Sequence, residues 1–201
     1  MVKKKRGKQG QGFWKDNYRK SWDYIKESRN FIYAVIIIFV FFILIGALLP
    51  TPEIIEQRIL EFIRQLLETT DGMSSGQLMS FIFLNNLQSS FFGMIFGVVL
   101  GIFSVLTVIL NGYLLGFVSA RAINIDGIFV LWRLVPHGIF ELPAVLISMG
   151  LGLKLGTFIF RKKKIKSLKE FLMNSLRVFV FVIIPLLIIA AIIEGFLISF
   201  G

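Results

Sequence analysis

The chain alternates between long apolar runs and short charged segments. The first apolar run covers residues 31–49, which carry no charged side chain, and it ends at Pro50. A helix that crosses a bilayer needs about 20 predominantly apolar residues. In lipid a helix satisfies its own backbone hydrogen bonds, so the pattern predicts an all-α, polytopic integral membrane protein.

A second apolar region, 78–118, also lacks any charged side chain. A single helix over this region would measure about 60 Å, roughly twice the thickness of the hydrocarbon layer. We therefore predict two spans, 78–98 and 101–119, that turn near Gly97–Gly101. One long tilted helix over 91–118 is the alternative. The remaining apolar runs predict spans over 136–160 and 178–200, which gives five spans in a single membrane domain, 31–201.

Charged residues are distributed unequally between the segments that connect these spans. Residues 1–30 carry ten Lys/Arg against three acids, and 154–177 carry eight against Glu170 alone. Residues 50–77 carry five acids against Arg58 and Arg64. Basic loops are retained in the cytoplasm. We expect a multi-pass protein of the cell membrane with its N-terminus inside and its C-terminus outside. The basic segments would face anionic lipid headgroups, not nucleic acid.

Two segments outside the spans are amphipathic. Apolar residues recur at helical spacing between 52 and 68, opposite a charged face, which predicts an outer helix. It either lies on the bilayer or docks a protein partner. The basic tail, 1–30, places Trp14, Tyr18, Trp22 and Ile25 at helical spacing, which is typical of an interfacial helix.

Small and amide residues lie inside the predicted spans. Gly93, Gly97 and Gly101 are four residues apart, as are Gly112 and Gly116, and this spacing lets helices approach closely. The amides of Asn85, Asn86 and Asn111 need hydrogen-bond partners in lipid. They either bond between helices or line a polar cavity.

Ionisable residues interrupt the fourth and fifth predicted spans. Arg133, His137 and Glu141 would form one stripe if a helix ran through Pro136. Gly138 lies within this stretch and Pro143 follows it, and Glu194 is the only acid of the last span. Such groups are costly at bilayer depth and mark functional sites. The set is either a proton or cation relay or a structural network that fixes helix register around the proline.

Catalytic and metal-binding templates are absent from the sequence. The chain has no cysteine and one histidine, which argues against a zinc site made by the protein alone. It contains no phosphate-binding glycine loop and no paired-histidine motif. We expect no metal, no cofactor and no enzymatic activity.

The polar residues of the spans form a pattern that resembles the stage II sporulation protein M family. The matching segments are Asn85-Asn86, Asn111 to Gly116, and Leu134 to Ala144 with its Pro136-His137-Gly138, Glu141 and Pro143. The resemblance covers most of the chain and implies about five spans. In spore-forming bacteria it implies a membrane protein that recruits peptidoglycan-degrading partners during engulfment. Relatives also occur in organisms that make no spores, archaea included, so that role is not transferred here.

Two functions are compatible with these features. The first hypothesis is a non-enzymatic membrane scaffold that organises envelope partners, with the helix over 52–68 as a docking surface. The second is a small transporter or channel that moves protons or cations through the His/Glu/Asn site. In either case we expect a homo-oligomer.

Overall fold

The computed structural model describes the backbone of residues 3–133 and 135–200, and the side chains of 12–130 and 138–193. Every regular element in these ranges is helical, which confirms the all-α prediction. The helices are α1 (Lys3–Glu27), α2 (Arg29–Leu48), α3 (Glu53–Thr70), α4 (Ser75–Ile95), α5 (Ile102–Asp126), α6 (Val135–Gly156), α7 (Lys164–Val178) and α8 (Ile184–Phe200). Three 3-10 segments (Phe96–Val98, Ile128–Arg133 and Thr157–Phe160) and a π-helical turn (Phe179–Ile183) connect them.

Five helical stretches of the described chain are long and apolar enough to cross a membrane. They are Arg29–Leu48, Ser75–Val98, Ile102–Asp126, Gly138–Phe160 and Lys164–Ile193. The last stretch would measure about 45 Å, against a hydrocarbon layer of about 30 Å. Its charged first part, α7, must therefore extend beyond the apolar layer.

The region 78–118 is divided by a turn that needs no polar loop. Leu100 and Gly101 both have positive φ, 56° and 74°. The amide N–H of Gly101 donates to the Gly97 carbonyl at 2.7 Å, and that of Ile102 donates to the Val99 carbonyl at 2.9 Å. Because the turn satisfies its own backbone, apolar residues can occupy it. The alternative of one long helix over 91–118 is wrong.

Helix α6 is the centre of the bundle and packs against α2, α4, α5, α7 and α8. Its residues Ala144, Met149, Leu151 and Leu155 are buried. Two side-chain hydroxyls connect helices across this core. Ser148 donates to the Ser90 carbonyl at 2.6 Å, and Ser104 donates to the Gly93 carbonyl at 2.7 Å.

Glycines allow two pairs of helices to approach within backbone contact. A Cβ atom at Gly112 would lie 2.8 Å from the Phe39 carbonyl oxygen, and one at Gly116 would collide with Ile43. Just after α4, Gly97 of the 3-10 segment faces Gly152 of α6, and Gly101 in the turn faces Gly156. A Cβ atom at Gly93 would first meet the flexible side chain of Met149, and one at Gly138 would lie at ordinary contact distance, 3.6 Å, from the Leu142 side chain.

The bundle has two chemically different ends. The basic end holds the start of α2, the turn 99–101, and the segment from Lys154 to Lys166. The acidic end holds the end of α2, helix α3 and the end of α5. Helices α2 and α5 run in the same direction between them, since Gly112 packs on Phe39 and, four residues later on both helices, Gly116 packs on Ile43.

Candidate functional site

The predicted ionisable stripe does not lie on one helix. Arg133 ends the 3-10 segment Ile128–Arg133, and α6 begins only at Val135. Pro136 therefore falls in the first turn of α6, where its missing N–H is tolerated. The helix instead runs through Pro143. The side chains of Arg133, Pro136, His137 and Glu194 lie outside the described residues, and the predicted relay stays a prediction.

The predicted amides do not converge on Glu141. Asn85 and Asn111 are exposed on α4 and α5, and Asn86 is half-buried. The Asn111 amide donates to the Thr107 carbonyl one turn earlier, at 2.8 Å. This bond lies within one helix, so it does not connect α5 to another span. Glu141, by contrast, lines a large groove that none of the three asparagines borders.

The groove lies between α6 and the α2–α5 pair and has a volume of about 1580 Å³. This exceeds the roughly 300–1,000 Å³ of sites for drug-sized molecules. It extends from Arg29 to Leu48 along α2, a rise of about 28 Å. Its middle is lined by apolar side chains, among them Ile36, Ile43 and Leu146. Gly116, Gly138 and Pro143 also line it. The groove therefore runs along one side of the bundle and is apolar over its middle.

A buried lysine occupies the basic end and was not among the predicted site residues. Lys154 of α6 is only 2% exposed. Its ammonium donates to Glu27 at 2.9 Å and to the Ser28 hydroxyl at 3.1 Å. It also lies 3.9 Å from the ring centroid of Tyr24. These contacts replace water around the ammonium, which is what burial of a charge requires.

The Lys154 site joins three parts of the chain. Tyr24 and Glu27 end α1, Lys154 belongs to α6, and Phe171 of α7 places its ring 5.4 Å from the ammonium. Tyr24 is buried, and its hydroxyl lies 3.4 Å from the Phe171 carbonyl. Burial raises the pKa of Tyr24 above its ordinary value of 10.0, because the phenolate would lose its hydration.

One feature of the sequence indicates that Lys154 is buried: it lies inside an apolar run. The sequence interpretation placed Lys154 in the basic segment that faces headgroups, and for this residue that is wrong. It precedes Arg161 by seven residues, about 10 Å of helix, and its flanking residues are apolar. A lysine so far inside an apolar run needs a partner. Glu27, however, is distant in sequence, and spacing alone could not identify it.

Helix α3 is the least packed helix of the acidic end. None of its residues is buried, although its apolar face carries Ile55, Phe62, Leu66 and Leu67. Glu56 forms an ion pair with Arg121 of α5. Just before the helix, the Tyr113 hydroxyl donates to the Thr51 hydroxyl at 2.9 Å. These contacts hold the start of α3 and leave its apolar face open.

The described residues contain no group of three or more His, Asp or Glu side chains that could hold a metal ion. The polar atoms of the Lys154 site are already engaged with one another. We assign neither a metal nor a cofactor to these residues.

Comparison with known proteins identifies a family and no individual relative. The family model described as Stage II sporulation protein M matches residues 35–198. No curated protein and no solved structure gives a match. The matched region begins within α2, so Tyr24, Glu27 and the rest of α1 precede it.

Proposed function

Because the chain belongs to the stage II sporulation protein M family, we propose that it is a non-enzymatic membrane scaffold that binds a protein partner through α3. The basic end would face the cytoplasm and the acidic end would face outward, as the distribution of Lys and Arg favours. Helix α3 would then be presented on the outer surface of the membrane.

One observation carries this proposal: α3 is an amphipathic helix with no buried residue, and much of its apolar face is exposed. Phe62 is 51% exposed and Leu67 is 64% exposed. Contiguous exposed apolar surface marks sites of interaction with proteins or membranes. The spacing of Ile55, Ile59, Phe62 and Leu66 is that of the seam by which one helix packs on another.

The charges of α3 favour a protein partner over the bilayer surface. Helices that lie on membranes are rich in Lys and Arg on the polar face, which attracts anionic lipid. The polar face of α3 carries four glutamates against two arginines. Anionic headgroups would repel it. A partner helix or groove with an apolar surface and a basic rim fits these charges better.

The described structure supports transport less well. A path for protons or cations needs polar groups along its length. The groove that Glu141 lines is apolar over its middle, and the three predicted asparagines lie outside it. The scaffold is therefore the function that we propose.

Photo-crosslinking in native membranes tests the proposal. A photoreactive residue at Leu67 should yield one reproducible protein adduct, and Ile55→Ser with Phe62→Ser should abolish it. The same probe at Ile165, an exposed apolar position of α7 at the basic end, is the matched control and should not give that adduct. Adducts of Leu67 with lipid alone would show that α3 lies on the bilayer and would overturn the proposal.

A further inference from the structure

The junction of α1 and α2 presents opposite charges on its two sides. Asp23 and Glu27 border a small polar cavity that Lys20 and Arg177 also line. On the other side, Lys26 and Arg29 border the groove, and neither forms an ion pair with a described residue. Asp23 and Glu27 thus share their cavity with basic side chains of the protein. Lys26 and Arg29, on the groove side, do not face these two acids.

Four residues at this end of the groove share one helical stripe. Trp22, Lys26, Arg29 and Tyr33 follow one another at intervals of three or four residues and all line the groove. Tryptophan and tyrosine prefer the headgroup level of a bilayer, and lysine and arginine there attract anionic headgroups. Beyond this stripe, the groove continues as an apolar surface past Ile36 and Ile43.

We propose that the groove binds an anionic phospholipid. Its phosphate would lie against Lys26 and Arg29, and its acyl chains would occupy the apolar length between α6 and the α2–α5 pair. The charge complementarity comes from these two cations, which form no ion pair within the described residues and which a phosphate oxygen satisfies with charge-assisted hydrogen bonds. The elongated, apolar shape suits a chain of methylene groups.

The position of the site explains why a lipid is preferred over a soluble anion. The two cations stand at one end of the groove, and the apolar middle of the groove adjoins them. A free phosphate ion would bind Lys26 and Arg29 but would leave the apolar part of the groove unfilled. A neutral lipid would fill the groove and leave Lys26 and Arg29 without an anion. An anionic lipid satisfies both parts.

Native mass spectrometry of the full chain tests the proposal. The protein would be released from nanodiscs that contain equal parts phosphatidylglycerol and phosphatidylcholine. We expect phosphatidylglycerol to be retained selectively. Lys26→Gln with Arg29→Gln should weaken that selectivity by roughly 10- to 30-fold, the effect of losing two cations at a membrane surface.

The matched control removes two cations elsewhere at the basic end. Lys162→Gln with Lys163→Gln changes the net charge equally but touches no residue of the groove. It should leave phosphatidylglycerol retention within about twofold of the unmodified chain. Equal losses in both double variants would mean that only the overall charge attracts the lipid, and the proposal would fail.

A second pair of variants tests the apolar part independently. Ile36→Trp fills the groove, and Ile37→Trp places the same side chain on the neighbouring position, 68% exposed and outside the groove. Only Ile36→Trp should reduce lipid retention. If it left lipid retention unchanged and altered the oligomeric mass instead, a second copy of the chain would occupy the groove, which would overturn the proposal.

Discussion

The two amphipathic helices outside the spans, α1 and α3, differ in what covers them. Helix α1 ends in buried residues, with Ser21 and Tyr24 enclosed against the bundle and Glu27 bonded to Lys154. Helix α3 has no buried residue and forms one ion pair with the part of the bundle whose side chains are described. Similar patterns in sequence therefore belong to one helix that is integrated into the bundle and one that is available to a partner.

The difference arises from complementary features elsewhere in the chain. The aromatic stripe of α1 meets Phe181, whose ring centroid lies 5.3 Å from that of Trp14 and 5.8 Å from that of Tyr18. Phe181 lies in the π-helical turn that precedes Pro185. Proline cannot donate to the carbonyl four residues earlier, which is Phe181, so a wider turn at this point is expected. No described element offers α3 such a surface.

Removing one aromatic side chain from each helix should give the largest difference in stability between α1 and α3. Tyr24→Ala removes a buried ring that contacts Lys154, and we expect it to lower the free energy of unfolding by about 3–5 kcal/mol. Phe62→Ala removes a half-exposed ring and should change it by less than about 0.5 kcal/mol. Chemical denaturation in mild detergent, followed by circular dichroism, measures both. A comparable loss for Phe62→Ala would show that α3 packs on the bundle.

Neutralising one glutamate in each helix is the next test. Glu27→Gln leaves the Lys154 ammonium buried without its counter-ion, and it should cost about 1–3 kcal/mol. Glu61→Gln on α3 breaks an exposed pair with Arg58, and its expected effect is below about 0.5 kcal/mol. Adding Lys154→Met to Glu27→Gln should recover stability, because no buried charge then remains. If Glu27→Gln alone were neutral, the ion pair would not hold α1 in place.

Much of the fold could be predicted because apolar length and charge are local properties. The long apolar runs predicted five membrane-spanning helices, and the forty-one residues of 78–118 were too long for one. The exact turn was harder to place, because Val99 and Leu100 are apolar and only Gly97 and Gly101 indicated a break. Its conformation depends on backbone hydrogen bonds that composition does not encode.

The candidate sites were less predictable because they depend on contacts between distant residues. Glu141 was noticed as an acid in an apolar run, yet the groove beside it is formed by α2 and α5. The Lys154 ammonium is bonded to Glu27, which is distant in sequence. Arg29 belongs to a candidate lipid site only because it lines the same groove as Ile36 and Leu146. Charged residues that are unfavourable inside a bilayer can be recognised from the sequence, whereas the packing of the helices decides which of them contact each other.

The dependence of stability on pH in the alkaline range should give the smallest difference between α1 and α3, and it reports on Tyr24. Burial raises the pKa of Tyr24, so above pH 10 the unfolded chain releases this proton while the folded chain retains it. The unfolded state then binds fewer protons, and the stability of the fold falls by about 1.4 kcal/mol per pH unit. Tyr24→Phe should remove this component and keep most of the packing. Helix α3 contains no tyrosine, so Phe62→Ala should leave the alkaline slope unchanged. If unmodified protein and Tyr24→Phe showed the same slope above pH 10, then Tyr24 would be reached by water, and α1 would be as loosely attached as α3.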